Sequence, residues 1–409
     1  MKQKKLFKLS ISAFSILVLV SIVLLSTWGK SSFAASQAEK LKIGALECLT
    51  GWFSGHNVLD WNEVQIAAEM INEKGGITVK GQKYLVETIV EDGKSTLDGV
   101  TAAANRLVFD KGVKFIIGPT AFFSTAAAPV TNPNKVIYVM GYCSNQPGEL
   151  DKNTPYGFLG YNSSVGDSIA AFQFLKKNYP KVKKLAYIMC DDGSIPYLSP
   201  IIKKLFKEHG FTMVGDLVSF PPEIVDFNAI AAKLNTIKDA DAIFHLNGTS
   251  QHVGGVLKGV RNLGNKKPYA GVIVFPLDEV GAIAGSEALK DVFTFAVTPY
   301  DLSNPPLMNE ITKRIIAKYG PSTSIYLQGA NSLWVLKQVI EAAQSLDPTV
   351  VKAKWEAMDK VDTLFGPGRM CGDITYGIKH HAVAHPEPVQ VSKEGKSISG
   401  GLIDVGLIP

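Results

Sequence analysis

From Leu41 onward the chain repeats one unit: a short apolar strand, a loop, then a periodic helix. It does so in two successive runs. The first run has strands at 41–46, 84–90, 113–117 and 136–140, separated by helices at 57–72, 97–109 and 124–131. In the helix at 57–72, Val58, Val64, Ile66, Ala67, Met70 and Ile71 supply the apolar stripe, and Gly75-Gly76 stops it. After Tyr161 the rhythm restarts. Helices are predicted at 165–179, 196–209, 227–236 and 250–263, and strands at 184–189, 211–218, 242–246, 269–275 and 292–297. Strands alternating with helices imply mainly parallel sheets covered on both faces. Two such runs imply an α/β protein of two doubly wound, Rossmann-like lobes. No period of 20–50 residues recurs, which excludes a solenoid.

The last third differs. Helices are predicted at 306–319, 325–346 and 350–358, followed by a glycine-rich segment at 365–377 and one returning strand at 388–391. A late helical block followed by a returning strand predicts that the chain crosses between lobes more than once.

The first residues set the compartment. Lys2, Lys4, Lys5 and Lys8 precede an apolar run at 11–25, and the small residues Ser32 and Ala34 stand at the −3 and −1 positions of a cleavage site. Residues 1–34 are therefore read as a signal peptide cleaved near Ala34; the alternative is an uncleaved anchor, because the run is near the lower limit of ~17 residues for a bilayer span. No Cys stands at the junction, so a lipid-modified route is not expected, and the expected location is the periplasm. Residues 1–34 hold five of the 42 basic residues and none of the 37 acidic ones, so the remainder is formally neutral. That balance gives no electrostatic footprint for nucleic acid. With 46% hydrophobic and 19% charged residues, long disorder is not expected.

In open α/β sheets, ligands bind beyond the carboxyl ends of the strands. The candidate loops of the first lobe are then 47–53, with Trp52 and Phe53; 118–124, with Ala121, Phe122 and Phe123; and 141–144, with Tyr142, Cys143 and Ser144. In the second lobe they are 190–194, with Ser194 and then Tyr197; 247–250, with Asn247; and 276–279, with Asp278 and Glu279. Trp52 and Phe53 are equally compatible with packing the loop on the first helix. Phe122 and Phe123, being consecutive, are expected to send at least one ring into the pocket. Asp191, Asp192, Asp278 and Glu279 also suit helix capping.

Several segments, in this order, carry a family resemblance: LKIGALECLTG at 41–51, AAEMINEKGGI at 67–77, VEDGKSTLDGVTAAANRLV at 90–108, IIGPTAFFSTAAAPV at 116–130, KKLAYIMCDDG at 183–193, DAIFHLNG at 241–248, and late FGPG at 365–368 with the pair His380-His381. Together they resemble the type I solute-binding proteins of ABC importers, whose best-known members carry leucine, isoleucine and valine. The resemblance implies two doubly wound lobes joined by three crossovers, placed near Tyr161, near Thr298-Pro299 and at 370–375. It implies an N-terminal lobe of residues 41–160 plus 299–368 and a C-terminal lobe of 161–298 plus 369–409. It also implies a monomer without cofactor or bound metal, which closes its hinge on a small organic ligand and presents the closed form to membrane permease subunits. Amino-acid-binding members place a Ser where Ala121 stands, a second hydroxyl where Cys143 and Ser144 stand, a Tyr where Ser194 stands (with Tyr197 one turn on), and an acid where Asp278 or Glu279 stands. The departures favour a bulky apolar or aromatic carboxylate or amino acid over leucine, with Ser144 and backbone N–H groups left to meet a carboxylate.

Four cysteines in an exported chain raise the question of disulfides. Cys48 with Cys143, and Cys190 with Cys371, are the pairings open to them. His380, His381 and His385 lie close in sequence, but their spacing fits no helical zinc pair. Two other function classes stand beside transport. One is a ligand sensor of the same fold. The other is an exported thiol enzyme using a pair such as Cys48 and His245, although no Gly-x-Ser-x-Gly, His-Glu-x-x-His or phosphate-cradling motif occurs.

Overall fold

The structure is a computed structural model that describes residues 39–409, except Ser144, residues 321–323 and the side chain of Phe122. The expected signal segment at 1–34 lies outside the described residues. Among those described, no helix is long and apolar enough to cross a membrane.

The chain opens with β1 (Glu39–Glu47), α1 (Ser54–Glu73), the hairpin of β2 (Ile77–Val79) and β3 (Gln82–Asp92), and α2 (Leu97–Asn105), which runs on as a π-helical turn. β4 (Phe115–Ile117), α3 (Ser124–Thr131), β5 (Ile137–Met140) and β6 (Gly157–Leu159) follow. β1, β4, β5 and β6 pair in parallel. The glycine pair that ends α1 has a steric reason. Gly76 sits at φ +82°, and a Cβ there would lie 2.1 Å from the Tyr84 carbonyl oxygen, so only glycine lets the chain turn straight into the β2–β3 hairpin.

The second run contains α4 (Ser164–Asn178), β7 (Lys184–Cys190), α5 (Ile195–Glu208), β8 (Thr212–Met213), β9 (Val218–Phe220), α6 (Asn228–Thr236), β10 (Ala242–Leu246), α7 (Ser250–Asn262), β11 (Tyr269–Val272), α8 (Leu277–Ala284) and β12 (Val292–Phe295). The expected strand at 211–218 is two short strands, because Gly215 at φ +72° turns the chain between them. The pleat of β7 divides its side chains between two cores. Leu185, Tyr187 and Met189 join the cluster that includes Phe172, Phe206 and Phe244, while Ala186, Ile188 and Cys190 join Ile243, Val253 and Val256. A central strand buried on both faces reads as a continuous apolar run for this reason.

The remainder is α9 (Pro306–Tyr319), α10 (Gln328–Ala343), α11 (Pro348–Glu356), β13 (Lys360–Thr363), β14 (Gly366–Cys371), α12 (Asp373–Tyr376), β15 (Ala382–Ala384), β16 (Glu387–Lys393) and β17 (Lys396–Ile403). The sequence predicted one strand here and the structure has five. β13, β14 and β15 are short and extend the first sheet beyond β6, giving the order β13-β14-β15-β6-β5-β4-β1-β3-β2. The second sheet runs β17-β16-β12-β11-β10-β7-β8, with β9 also on β7.

The fold is thus two doubly wound α/β lobes, and the chain passes between their sheets three times. The passages fall between Leu159 and α4, between Phe295 and α9, and between Ala384 and Glu387. The last lies later than the expected boundary at 368/369, because β14 and β15 still belong to the first sheet. Side chains bind the first and third passages together. Asn162 N–H donates to His385 Nε2 at 3.3 Å, Asn162 Nδ2 donates to the His385 carbonyl at 3.1 Å and to Glu387 Oε2, and the His385 ring stacks on Phe365 at 4.2 Å.

Candidate functional site

The site begins at the carboxyl end of β1. Gly51, at φ +88°, packs so closely on Ser95 that a Cβ would lie 2.7 Å from its side chain. Ser95 Oγ donates to the Thr50 carbonyl at 2.7 Å and accepts from Phe53 N–H at 3.1 Å. Asp92 accepts from the N–H groups of Leu49, Thr50 and Lys94 and from the Thr50 hydroxyl at 2.7 Å. Burial alone would raise this carboxyl, but the hydrogen bonds hold it below the usual range. The loop is therefore fixed where it sets Trp52 and Phe53 at the head of α1.

The first turns of α1 continue the same wall. Phe53, His56 and Leu59 recur at helical spacing and line a cavity of about 600 Å³, together with Trp52, Asn62, Tyr319, Ser324 and Tyr326 of the first lobe and Thr249, Phe275 and Glu279 of the second. Rings form a continuous chain around it. Phe53 lies 5.2 Å from both Trp52 and His56, His56 stacks on Tyr326 at 4.7 Å, and Phe275 stands 5.9 Å from His56 and 5.6 Å from Tyr326. The lobes touch across the cleft. The Ser324 hydroxyl donates to Glu279 Oε1, Tyr142 and Ser164 share a hydrogen bond at 2.9 Å, and Gln146 Nε2 donates to the Asp192 carbonyl at 3.2 Å. A groove of about 750 Å³ at the margin of the second lobe, along Met213–Asp216 and Lys233–Asp239, belongs to one lobe only.

The buried face of α1 holds the cavity floor. Glu63 Oε1 accepts from the N–H groups of Tyr326 and Leu327 at 2.8 and 2.7 Å, fixing the segment that carries Ser324 and Tyr326. Burial raises Glu63 well above the usual carboxyl range, and the charge of Asp60 adds to it. Burial also raises Glu47, with Asp60 and Glu63 adding. Asp60 is raised by burial and lowered by His56, Asn57 and Thr120. Three carboxyls in one buried neighbourhood cannot all ionise cheaply, so each is pushed toward its neutral form.

The expected site residues divide sharply. Trp52, Phe53 and Glu279 line the cavity, and Asp278 is exposed beside it. Phe123 is 1% exposed and packs behind Phe53 and Trp52 at 5.7 and 6.1 Å, so it supports the wall rather than forming it. The expectation of a pocket ring at Phe122 and Ser144's hydroxyl lie outside the described residues. Ala121 is nearly buried, and its N–H donates to the Tyr142 carbonyl at 2.9 Å. Cys143 is buried with its thiol donating to Glu149 at 3.1 Å, so it supplies nothing to the cavity. Tyr197 is 48% exposed and outside it. Away from the cavity, Tyr142 reaches the second lobe through Ser164, which donates to Asn247 Oδ1 at 3.0 Å, and Asn247 Nδ2 in turn lies 3.5 Å from Ser194 Oγ, while Asp192 accepts from Ser194 N–H at 3.0 Å.

Sequence reasoning missed His56, Phe275, Ser324 and Tyr326. The spacing 53, 56, 59 was the available signal for His56. Phe275 was assigned to a strand that ends at Val272, and Ser324 lies just before, and Tyr326 inside, the helix predicted at 325–346, which starts only at Gln328. The cysteine pairings are corrected: all four thiols are free and buried. The pairing of Cys48 with His245 is also corrected. His245 is buried in the second lobe, with Nδ1 2.6 Å from the Tyr269 hydroxyl, while Cys48 lies against Gly93 and burial pushes its thiol up to about 11. His381 pairs with Glu356 and His385 with the hinge, and among the described residues no group of three or more His, Cys, Asp or Glu side chains is arranged to hold a metal ion.

Two doubly wound lobes, three passages and a ligand-sized cavity walled by both lobes define a two-lobed solute-binding protein. The family model for periplasmic binding proteins matches residues 40–396, and the chain belongs to that family. It is similar to the Leu/Ile/Val-binding protein BraC3 of Rhizobium johnstonii, 27% identical over 355 residues that cover 85% of this chain and 90% of that one. Among solved structures it is similar to the branched-chain amino acid transporter substrate binding protein LivJ from Streptococcus pneumoniae in complex with isoleucine, with a TM-score of 0.69, 18% identity and coverage of 89% of this chain and 99% of that one. It is equally similar to an ABC transporter solute binding protein from R. palustris in complex with 4-hydroxybenzoate, with a TM-score of 0.69, 19% identity and coverage of 89% and 96%.

Proposed function

We propose that this protein is the extracytoplasmic binding component of an ABC importer, exported by residues 1–34, and that it closes its lobes on a small organic ligand with a bulky apolar or aromatic body. The observation that carries this reading is the ring-lined cavity of about 600 Å³, to which Phe275 and Glu279 come from one lobe and Trp52, Phe53, His56 and Tyr326 from the other. A site divided in this way is complete only when the lobes meet, so ligand and closure stabilise each other. The volume suits a molecule of amino-acid or benzoate size. The isoleucine and 4-hydroxybenzoate complexes of the two similar proteins support both shapes. Apolar area buried against the rings contributes about 25 cal/mol per Å².

A thermal-shift screen over aliphatic and aromatic amino acids, carboxylates and amines tests the reading. A ligand at a hundredfold excess over Kd stabilises by about 2.7 kcal/mol. The same ligand is expected to reduce the radius of gyration in solution scattering. No stabilisation by any member, or stabilisation at unchanged dimensions, would count against it.

A further inference from the structure

The neutral balance of residues 35–409 conceals a separation of charge. β7, β8, β10, β11 and β12 pair in parallel, so their amino ends share one edge of the second sheet, opposite the edge that faces the cleft. The chain reaches that edge in six segments: the last turns of α4, α5, α6 and α7 with the loops that follow them, the stretch leading into β12, and the β16–β17 turn. These segments (176–184, 203–209, 233–241, 258–268, 287–291 and 393–396) hold 17 lysine and arginine residues against six aspartate and glutamate residues. Of the 37 basic and 37 acidic residues beyond position 34, that leaves 20 and 31 for the rest of the chain.

Contacts between the segments make them one surface. Asp241 Oδ2 accepts from Lys183 and Lys184 N–H at 2.9 and 2.8 Å, Lys267 Nζ donates to the Lys238 carbonyl at 2.8 Å, and Tyr179 donates to Asp291 at 3.5 Å. Gly395 of the β16–β17 turn packs against Ser286. Burial lowers the His209 imidazole from its ordinary value, and the charge of Lys176 lowers it further. Two ordinary roles for such lysines fall short here. Among the described residues nine ion pairs use a lysine or arginine, and only Lys204 with Glu208, at 3.6 Å, belongs to this surface. The carboxyl ends of four helices carry about −0.5 charge each. That is far less than an excess of 17 positive side chains over six negative ones.

We infer that this edge of the second lobe is a docking face for the surface of an anionic phospholipid bilayer, held by its lysines at the phosphate headgroups. All the basic side chains except Arg261 and Lys267 are exposed. Arg261 is the one arginine of the six segments, and its guanidinium is spent on the carbonyls of Ala288, Asn265, Lys267 and Lys290. No arginine fork is left for paired recognition of a base or a single phosphate. The aromatic rings of these segments are engaged as well: Tyr179 is half-buried and bound to Asp291, and Phe206 is buried in the core. None is free to stack on nucleic-acid bases. What remains is lysine, a point charge on a flexible apolar stem, which suits a fluid array of headgroups. Leu263, 49% exposed among these lysines, offers an apolar side chain to the headgroup boundary.

The face stands apart from the ligand. β7 is seven residues long, which separates the two edges of the sheet by roughly 20 Å. Thr249 and Phe275, which line the cavity, follow the carboxyl ends of β10 and β11. Attachment to headgroups and filling of the cavity are therefore separate events.

Co-sedimentation of the mature protein with vesicles tests the assignment, using phosphatidylcholine alone or phosphatidylcholine with one-third phosphatidylglycerol. Binding to the anionic vesicles is expected to exceed binding to the neutral ones at least tenfold at about 0.1 M salt and to vanish at about 1 M, as the Debye length falls from about 10 to about 3 Å. A variant combining Lys176→Gln, Lys177→Gln, Lys181→Gln and Lys203→Gln is expected to lose at least tenfold of that binding. A variant with the same change of net charge on the first lobe, Lys83→Gln, Lys111→Gln, Lys114→Gln and Lys152→Gln, is expected to stay within twofold of the parent. All eight side chains are exposed, so both variants should keep the parent's melting temperature. Equal binding to neutral vesicles, binding that survives high salt, no binding, or equal loss in the two variants overturns the assignment. Retention of an oligonucleotide without binding to vesicles overturns it too, since the face would then serve a soluble polyanion. Each of these failures leaves the thermal-shift test of the cavity untouched.

Discussion

The Tyr161 hydroxyl, on the first passage between the lobes, donates to Glu387 Oε1, on the third, at 2.9 Å. Both groups are buried, and Glu387 also accepts from Asn162. Two of the three passages therefore move as one unit, joined by a carboxyl that has left water.

A pH dependence of stability follows from that carboxyl. Burial pushes Glu387 up to about 8, partly offset by hydrogen bonds from Asn162 and Tyr161. Asp167, close by, is raised by burial and by the charge on Glu387. The folded state thus holds protons that the unfolded chain releases, so this contribution is complete below about pH 4.5 and is lost as pH rises toward 8, at up to ~1.4 kcal/mol per pH unit for each group. His245 and His385, each lowered by burial to about 3, act in the opposite sense and weaken the fold as pH falls from about 6.5 toward 3. Chemical denaturation from pH 4 to 9 is expected to show a maximum between these limits. Glu387→Gln should flatten the alkaline limb and leave the acid limb unchanged.

Phe123 and Trp52 separate support from contact. Phe123→Ala leaves a void behind the cavity wall and is expected to cost about 3–5 kcal/mol of stability. Trp52→Ala, at a side chain 68% exposed, is expected to change stability by no more than ~0.5 kcal/mol while weakening ligand binding. Denaturant melts paired with titration calorimetry distinguish the two.

Glu63 fixes the 324–327 segment through two backbone N–H groups. Glu63→Gln retains an acceptor and is expected to fold and bind nearly as the parent does. Glu63→Leu orphans both donors, at roughly 1–3 kcal/mol each, and releases Tyr326 from its stack on His56. A lower melting temperature with weakened ligand affinity in the leucine variant alone is the expected pattern.

The thiols are expected to be silent. Cys48 and Cys371 are pushed up to about 11 and Cys190 to about 12, chiefly by burial, and all four are enclosed. A thiol reagent at pH 8 should label none in the native protein and four after denaturation, and reductant should leave the melting temperature unchanged. Protection of two thiols in the denatured, unreduced protein would reveal a disulfide instead.

The lobes were legible because each buried strand is a short apolar run ended by glycine, proline or a polar loop, as in 184–190 and 242–246. The C-terminal quarter was not, since β13 to β15 are three to six residues long and carry Gly366, Pro367 and Gly368, which read as loop until a neighbouring edge supplies hydrogen bonds. The strand-end rule led to Trp52, Phe53 and Glu279, which lie next to strand ends in the chain. It could not reach Ser324 and Tyr326, which are placed by Glu63 more than 260 residues away. Nor could it tell Phe123 from a pocket ring, because which side of a one-turn helix faces the core depends on neighbours that the local sequence does not contain.

Trp52 has one further use. It stands on the rim of the cavity, most of its indole in water, whereas Trp355 is fully buried and stacked on Phe158 at 4.2 Å. A guest seated against the neighbouring rings strips water from the first indole and leaves the second untouched. Emission should therefore shift to shorter wavelength on filling, against a constant internal standard, so that arrival and departure of the guest can be followed on the millisecond scale by rapid mixing without attaching a dye.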